Sequence, residues 1–408
     1  MTRSPRRFLA WFAAFVLSLA LLGAWSWWAR PTLDGLDRLL AAGQFQAAER
    51  QLLGYLRAYP GDESARMLLA RASVDRPDPK PELAIEQLEG LEPASSRRSA
   101  QVRSIRGEAY FLQRRYDRAE SIWLDALKLD PSIAEVGWGL LNLYALEHRH
   151  DESRRLALQL HAHEPDPHDR LQLLLQMIRF DAHAIEIGSL VHQLEPVVAA
   201  NPADLASSLA LGTAYVQVGR AAEGLGLLGK LARQHPDRPE PSIHLAEAFA
   251  QTGQADELDK LIAKLPPPTR DSPRIITARA WLAMQRQDWS RAADLYLEAF
   301  AKRPGDPAIA YRLKTALHHA GRDDQLAGLG PRLQAAVGLN DKIRPFYDRI
   351  DAGTGPDPVV PSGADKASGK GAPADDYRQL AAILRQVGRV EEADLWDRQA
   401  AAGGPLAP

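Results

Sequence analysis

Cysteine is absent from the 408 residues. That excludes disulfides, thiolate metal sites and a cysteine nucleophile together, and it neither requires nor excludes an oxidising compartment. Charge of one sign is also missing. Fifty Lys and Arg against 52 Asp and Glu leave a net charge of −2, so no global field draws nucleic acid, and no basic run is long enough to supply a local one. No stretch alternates apolar and polar residues as a half-buried strand would. No Gly-rich phosphate loop ends in Lys-Ser or Lys-Thr, and no Gly-x-Ser-x-Gly elbow occurs. These absences leave no catalytic constellation, no cofactor motif and no metal motif, and the expectation is a protein that is not an enzyme.

What is present begins with Phe8–Trp28, 21 uncharged residues between Arg7 and Arg30. Roughly 20 apolar residues cross a hydrocarbon core as a helix. Trp11 near the start and Trp25, Trp27 and Trp28 at the end suit the two interfaces. A cleaved signal peptide has a shorter apolar region and a small-residue cleavage site, so residues 8–28 read as an uncleaved transmembrane anchor. Arg3, Arg6 and Arg7 precede it without an acid. By the positive-inside rule, residues 1–7 stay cytoplasmic and the rest of the chain lies outside the cytoplasm, in the periplasm if the source is bacterial.

Beyond the anchor the sequence repeats. Pro131, Pro165, Pro202, Pro236 and Pro304 stand at spacings of 34, 37, 34 and 68, and Pro60 precedes Pro131 by 71. The clearest unit runs Gly107-Glu-Ala-Tyr110, then Tyr116, Ala119, Trp123, Ala126 and Pro131; Leu211-Gly212, Tyr215, Gly219, Leu228 and Pro236 repeat it. Each unit reads as two helices joined by a short turn, with small residues at the crossing and a proline ending the second helix. One such hairpin cannot bury its own apolar face, so neighbours must stack. Gly224-Leu-Gly226 with Gly229 spells a Gly-x-Gly-x-x-Gly string, yet it lies inside the second helix of a unit, where close helix packing explains it.

The pattern resembles the tetratricopeptide repeat (TPR) family, membrane-anchored bacterial type, over roughly residues 33–330, weakest near 75–95 and 180–200. The fold expected is all-α: a right-handed α-solenoid of stacked antiparallel hairpins, with an N-terminal transmembrane helix. The array spans 32–350 with about eight hairpins. A Gly- and Pro-rich linker follows over 351–375, then a further TPR-like hairpin over 376–402. A bacterial lipopolysaccharide-regulating family also joins an anchor to such repeats, but it ends in a cysteine-rich module that this chain lacks.

The resemblance implies a concave groove lined by each hairpin's first helix, receiving protein or peptide partners. Carried onto this chain, the groove offsets fall on Glu135, Trp138 and Asn142, then Leu209 and Thr213, Ile243 and Glu247, Thr277 and Trp281, and Tyr311 and Thr315. Only Asn142 fits a carboxylate clamp, and Glu247 opposes one. Trp138, Trp281 and Tyr311 suit an extended or helical peptide held by aromatic anchors, or pack between hairpins. Seven of the eleven histidines (148, 150, 161, 163, 168, 183 and 192) crowd into 45 residues. The i, i+2 spacing of His161 and His163 does not set both on one helix face, and solvated turn histidines are the better reading than a metal site. The function expected is a membrane-anchored scaffold for envelope assembly. The alternatives are a self-assembling protein, forming a homo-oligomer, and a non-catalytic accessory subunit of an envelope or carbohydrate-modifying complex.

Overall fold

The structure, a computed structural model, describes residues 33–91, 95–147, 149–182, 187–354 and 374–402. All regular elements among them are helices. The chain divides into two compact units, Met1–Gln113 and Arg114–Pro408.

The first unit holds α1 (Leu33–Ala41), α2 (Phe45–Ala58), α3 (Glu63–Val74), α4 (Pro81–Leu88) and α5 (Ser96–Leu112). Leu36 and Leu52 meet Ala65 and Leu69 in one core, while Val74, Leu88, Leu91, Val102 and Ile105 form the next. Each fully buried Leu or Ile contributes about 1.5–3 kcal/mol of transfer free energy.

The second unit opens with α6 (Tyr116–Leu129), α7 (Ala134–Leu146), α8 (His150–His163), α9 (Pro167–Ala182), α10 (Ile187–Ala200), α11 (Leu205–Gln217) and α12 (Ala221–Gln234). It continues with α13 (Pro239–Gln251), α14 (Ala255–Lys264), the single turn α15 (Pro267–Arg270), α16 (Pro273–Gln285), α17 (Trp289–Lys302), α18 (Pro307–His319) and α19 (Asp323–Val337). The last three helices are α20 (Leu339–Thr354), α21 (Ala374–Val387) and α22 (Val390–Ala401).

The repeating prolines have a local consequence. Two residues after Pro60, Pro202 and Pro304 stand Asp62, Asp204 and Asp306. Their carboxylates accept from Ala65 N at 3.0 Å, Ser207 N at 3.1 Å and Ile309 N at 3.0 Å. The proline stops one helix and the aspartate caps the next. Close crossing within a hairpin demands glycine. A Cβ on Gly224 would lie 2.6 Å from Gly212 O, and one on Gly212 would lie 2.8 Å from Leu228 Cγ. The Gly-x-Gly-x-x-Gly string is thus a helix crossing of α12 on α11, carried by its first glycine.

Regular pairing fails at α9 and α10. Helix α10 packs on α11, and Leu146 of α7 joins their shared core. Asn201 at the end of that segment donates to Asp117 Oδ1 of α6 at 3.1 Å. Helix α9 instead packs on α8 and on α20, and also meets α22. Its residues 171–178 are buried without a break, where a helix on the surface of a stack would bury one stripe.

At the far end, α21 packs on α19 and pairs with α22, so the C-terminal hairpin is docked against the repeat array. Arg349 holds Asp376 through contacts of 3.0 and 2.8 Å, and Arg332 Nε donates to Val387 O at 3.2 Å. Residues 355–373, most of the expected linker, lie outside the described residues.

One expectation is corrected. No helix among the described residues is long and apolar enough to cross a membrane, and the stretch 8–28 lies outside them. The single-pass membrane protein, with its cytoplasmic N-terminus and extracytoplasmic repeats, is not carried forward. Envelope assembly, inferred from that anchor, loses its basis with it.

Candidate functional site in the second unit

The first helices of successive hairpins, α11, α13 and α16, place one polar chain across the wall they share. Thr213 Oγ1 donates to Leu209 O at 2.9 Å, one turn back on its own helix. Its single proton is thereby used, so the 2.9 Å contact with His244 Nδ1 has the imidazole as donor. That assignment leaves Nε2 unprotonated, and Arg274 Nη1 donates to it at 3.3 Å. Arg274 Nε then donates to Glu247 Oε1 at 2.6 Å, and its Nη2 binds the other carboxylate oxygen. The result is an unbroken series from Glu247 on α13 to Arg274 on α16, back to His244 on α13, and on to Thr213 on α11. Burial, with the Arg274 charge beside it, holds the His244 imidazole down to about 3, so it is neutral at ordinary pH. Burial acts against the charge on Arg274, and Glu247 outweighs it. Asp151 and Glu152, in the first turn of α8, add to the negative field at the same guanidinium.

Two further threonines repeat the hydroxyl geometry. Thr277 Oγ1 donates to Pro273 O at 2.9 Å and Thr315 Oγ1 to Tyr311 O at 3.1 Å. A hydroxyl committed in this way turns its oxygen outward as an acceptor. Beside Thr315, the Tyr311 side chain is 63% exposed, the most exposed large apolar residue among those described.

The eleven groove positions expected from the sequence separate on this wall. Thr213, Glu247, Thr277, Tyr311 and Thr315 take part as described. Ile243 is half-buried and packs against the core around Trp281. Trp281 itself, 8% exposed, belongs to that core with Ile275 and Leu282, and Leu209 belongs to the neighbouring one with Leu228 and Leu245. Neither offers a side chain to a ligand. Trp138 and Asn142 on α7 are half-buried and Glu135 is exposed; none of them enters the polar series. Sequence reasoning passed over His244 and Arg274. Their signal was the spacing: His244 and Glu247 share a face of α13 at i, i+3, as Arg274 and Thr277 do on α16.

Elsewhere the chemistry is sparse. Among the described residues no three His, Asp or Glu side chains come together to hold a metal ion. Of the crowded histidines, His161 is held below its ordinary value by burial and by Arg170 and Arg398, and His163 Nδ1 lies 3.0 Å from Gln159 O. Residues 148 and 183 lie outside the described residues.

Solved structures similar to this chain include the Cut9–Hcn1 hetero-tetramer of APC/C, with 16% identity, 91% of this chain and 80% of that one covered, and a TM-score of 0.33. A tetratricopeptide repeat protein of Parabacteroides merdae has 13% identity over 70% of this chain and 97% of its own, with a TM-score of 0.32. A thermophilic TPR protein of Thermus thermophilus has 21% identity over 53% and 96%, with a TM-score of 0.29. No match was found among curated proteins. Family models described as tetratricopeptide repeat match residues 80–134, 215–282 and 277–325. These matches fall on hairpins already described, so those segments of the chain are tetratricopeptide repeats.

Proposed function

We propose that this protein is a non-catalytic scaffold that holds an extended segment of another protein against the wall formed by α11, α13, α16 and α18. The observation that carries the reading is the exposed Tyr311 on α18, with Thr315 one turn along the same helix and Thr277 on α16 each committing its hydroxyl proton to a backbone carbonyl. A hydroxyl oxygen left to accept suits an N–H group of an extended backbone, and an exposed aromatic supplies an anchor of the kind that dominates interface energies. The neutral His244 and the paired Arg274 hold the three helices in register without presenting a nucleophile or a proton relay to a substrate.

The test is selection of 12-residue peptides from a random library on the full chain, followed by affinity measurement. Tyr311→Ala and Thr277→Val are each expected to weaken the selected peptides at least fivefold, with helix content unchanged. Peptides that bind both variants as tightly as the parent chain would overturn the reading.

A further inference from the structure

Within the second unit, α9 stands where the first helix of a repeat is expected. It packs on α8 and α20 and meets α22, while its neighbour in the chain, α10, packs on α11. Helix α20 buries a single stripe, Leu339, Ile343, Tyr347 and Ile350, at spacings that share one helix face. The helices packed on α20 are α9, α21 and α19, so α9 covers part of that stripe. A leucine-rich helix received on an apolar face is a common mode of protein recognition. Here the occupant belongs to the same chain.

Two features work against the enclosure of α9. The first is a set of buried amides. Gln172 and Gln176 lie among the leucines of α9 and Gln399 lies on α22, all more than nine-tenths buried. The side-chain nitrogens of Gln176 and Gln399 have no hydrogen-bond partner. Such a donor gives up water on burial and receives no acceptor in exchange, a loss that exposure reverses. The second feature is charge. Burial holds His161 of α8 below its ordinary value, and Arg170 of α9 and Arg398 of α22 act in the same direction. Basic side chains from all three helices therefore gather at one end of the seam. Elsewhere along it, Arg154 Nε of α8 stands 3.8 Å from Glu392 Oε1 of α22, a long contact to an oxygen that Arg389 Nε already holds at 2.9 Å. The buried leucines of α9 keep it in place against these opposing effects.

We propose that α20 and α22 form a docking face for a leucine-rich helix of another protein, and that α9 is its releasable internal occupant. A partner helix of α9's chemistry, apolar with an occasional glutamine, binds in proportion to the fraction of chains from which α9 has been released. The probe is a fluorescent synthetic peptide of residues 167–182, titrated into the full chain by anisotropy, with a scrambled peptide of the same composition as control. Leu174→Ala loosens α9 and leaves α20 and α22 unaltered, so this variant is expected to bind the peptide at least tenfold more tightly than the parent. Gln176→Leu removes an unpartnered donor from α9 alone. It strengthens the internal occupant and is expected to weaken the peptide at least threefold with no loss of thermal stability, a combination that a folding defect does not produce. Hydrogen exchange of the parent chain needs no variant: α9 and Leu339–Ile350 are expected to exchange together, and faster than Trp289–Lys302 of α17. Equal affinity of the three chains for the peptide overturns the proposal, as does equal affinity for the scrambled peptide. Exchange of α9 at the same rate as Trp289–Lys302, through global unfolding alone, overturns it as well.

Discussion

Glu147 and Asp204 reach the same hydroxyl. Ser207 Oγ lies 3.1 Å from Glu147 Oε1 and 2.9 Å from Asp204 Oδ2, and all three residues are buried. One hydroxyl proton serves one carboxylate, so the second contact is completed by a proton on Glu147, donated to Ser207. Burial pushes Glu147 up to about 8; Asp204 adds to the shift and Arg149 opposes it. The pair joins the end of α7 to the start of α11, where the stack closes after α9 has left it.

A pH dependence follows from that proton. A carboxyl raised from 4.5 to about 8 in the folded chain gives stability that is complete below pH 4.5 and lost as pH rises to 8. The slope for one proton is about 1.4 kcal/mol per pH unit within that window. Glu147→Gln keeps the donor and removes the ionisation. Urea unfolding of the second unit at pH 5 and pH 8.5 is expected to show the variant gaining relative to the parent at the higher pH. Parallel losses in both chains would mean that Glu147 is ionised in the fold.

The His244 series acts with the opposite sign. A histidine held at about 3 when folded and near 6.5 when unfolded gives stability that is complete above pH 6.5 and lost as pH falls toward 3. His244→Gln should therefore flatten the acid limb of the stability curve between pH 6 and 4. At neutral pH, Arg274→Met removes the donor to both Glu247 and His244 and is expected to cost about 1–3 kcal/mol. The double variant Arg274→Met with Glu247→Gln should recover part of it, because the uncompensated carboxylate is gone. A double variant no more stable than Arg274→Met would show that Glu247 is well solvated without its partner.

The turns within hairpins allow a backbone test. Gly219 stands at φ 86°, where Arg220 N bonds Tyr215 O at 2.8 Å. In the corresponding turn Asp288 N bonds Ala283 O at 3.0 Å, but Gln287 takes φ 59°. The left-handed region costs a residue with a Cβ about 1–2 kcal/mol. Gln287→Gly is expected to raise stability by roughly 0.5–1 kcal/mol, and Gly219→Ala to lower it by about as much, read as shifts in denaturation midpoint. Loss of stability in Gln287→Gly would show that its side chain contributes more than its backbone conformation costs.

Much of this fold was legible in one sequence, because hairpin contacts are local. Pro131 and Pro202 mark helix ends, and Gly212 and Gly224, only 12 residues apart, mark a crossing. The groove was less legible. A periodic offset places Leu209 and Trp281 on the correct face, but it does not say how far the neighbouring hairpin covers them. His244 and Arg274 stand outside the groove offsets of the repeat, and the crowded histidines around His161 give the stronger signal in the sequence. Helix α9 was illegible for a third reason. Its sequence reads like any first helix of a repeat, and its second partner, α20, arrives from far along the chain.

That last point can be tested residue by residue. Leu171, Leu173, Leu174, Leu175, Met177 and Ile178 are all buried, and with the equally buried Gln172 and Gln176 they point in every direction around α9. In an ordinary repeat helix only one stripe would be costly to truncate; in α12 the buried residues are Gly224, Leu228 and Leu231. Alanine at each of the six α9 positions is expected to cost about 2–5 kcal/mol, with no 3.6-residue period in the profile. If Leu173 and Met177 tolerate alanine while Leu171, Leu174 and Ile178 do not, α9 lies on the surface of the stack in solution. The same six variants also report on α20. Where α9 is enclosed, each should increase hydrogen exchange in Leu339–Thr354 as well as in α9 itself, because the two helices bury one another.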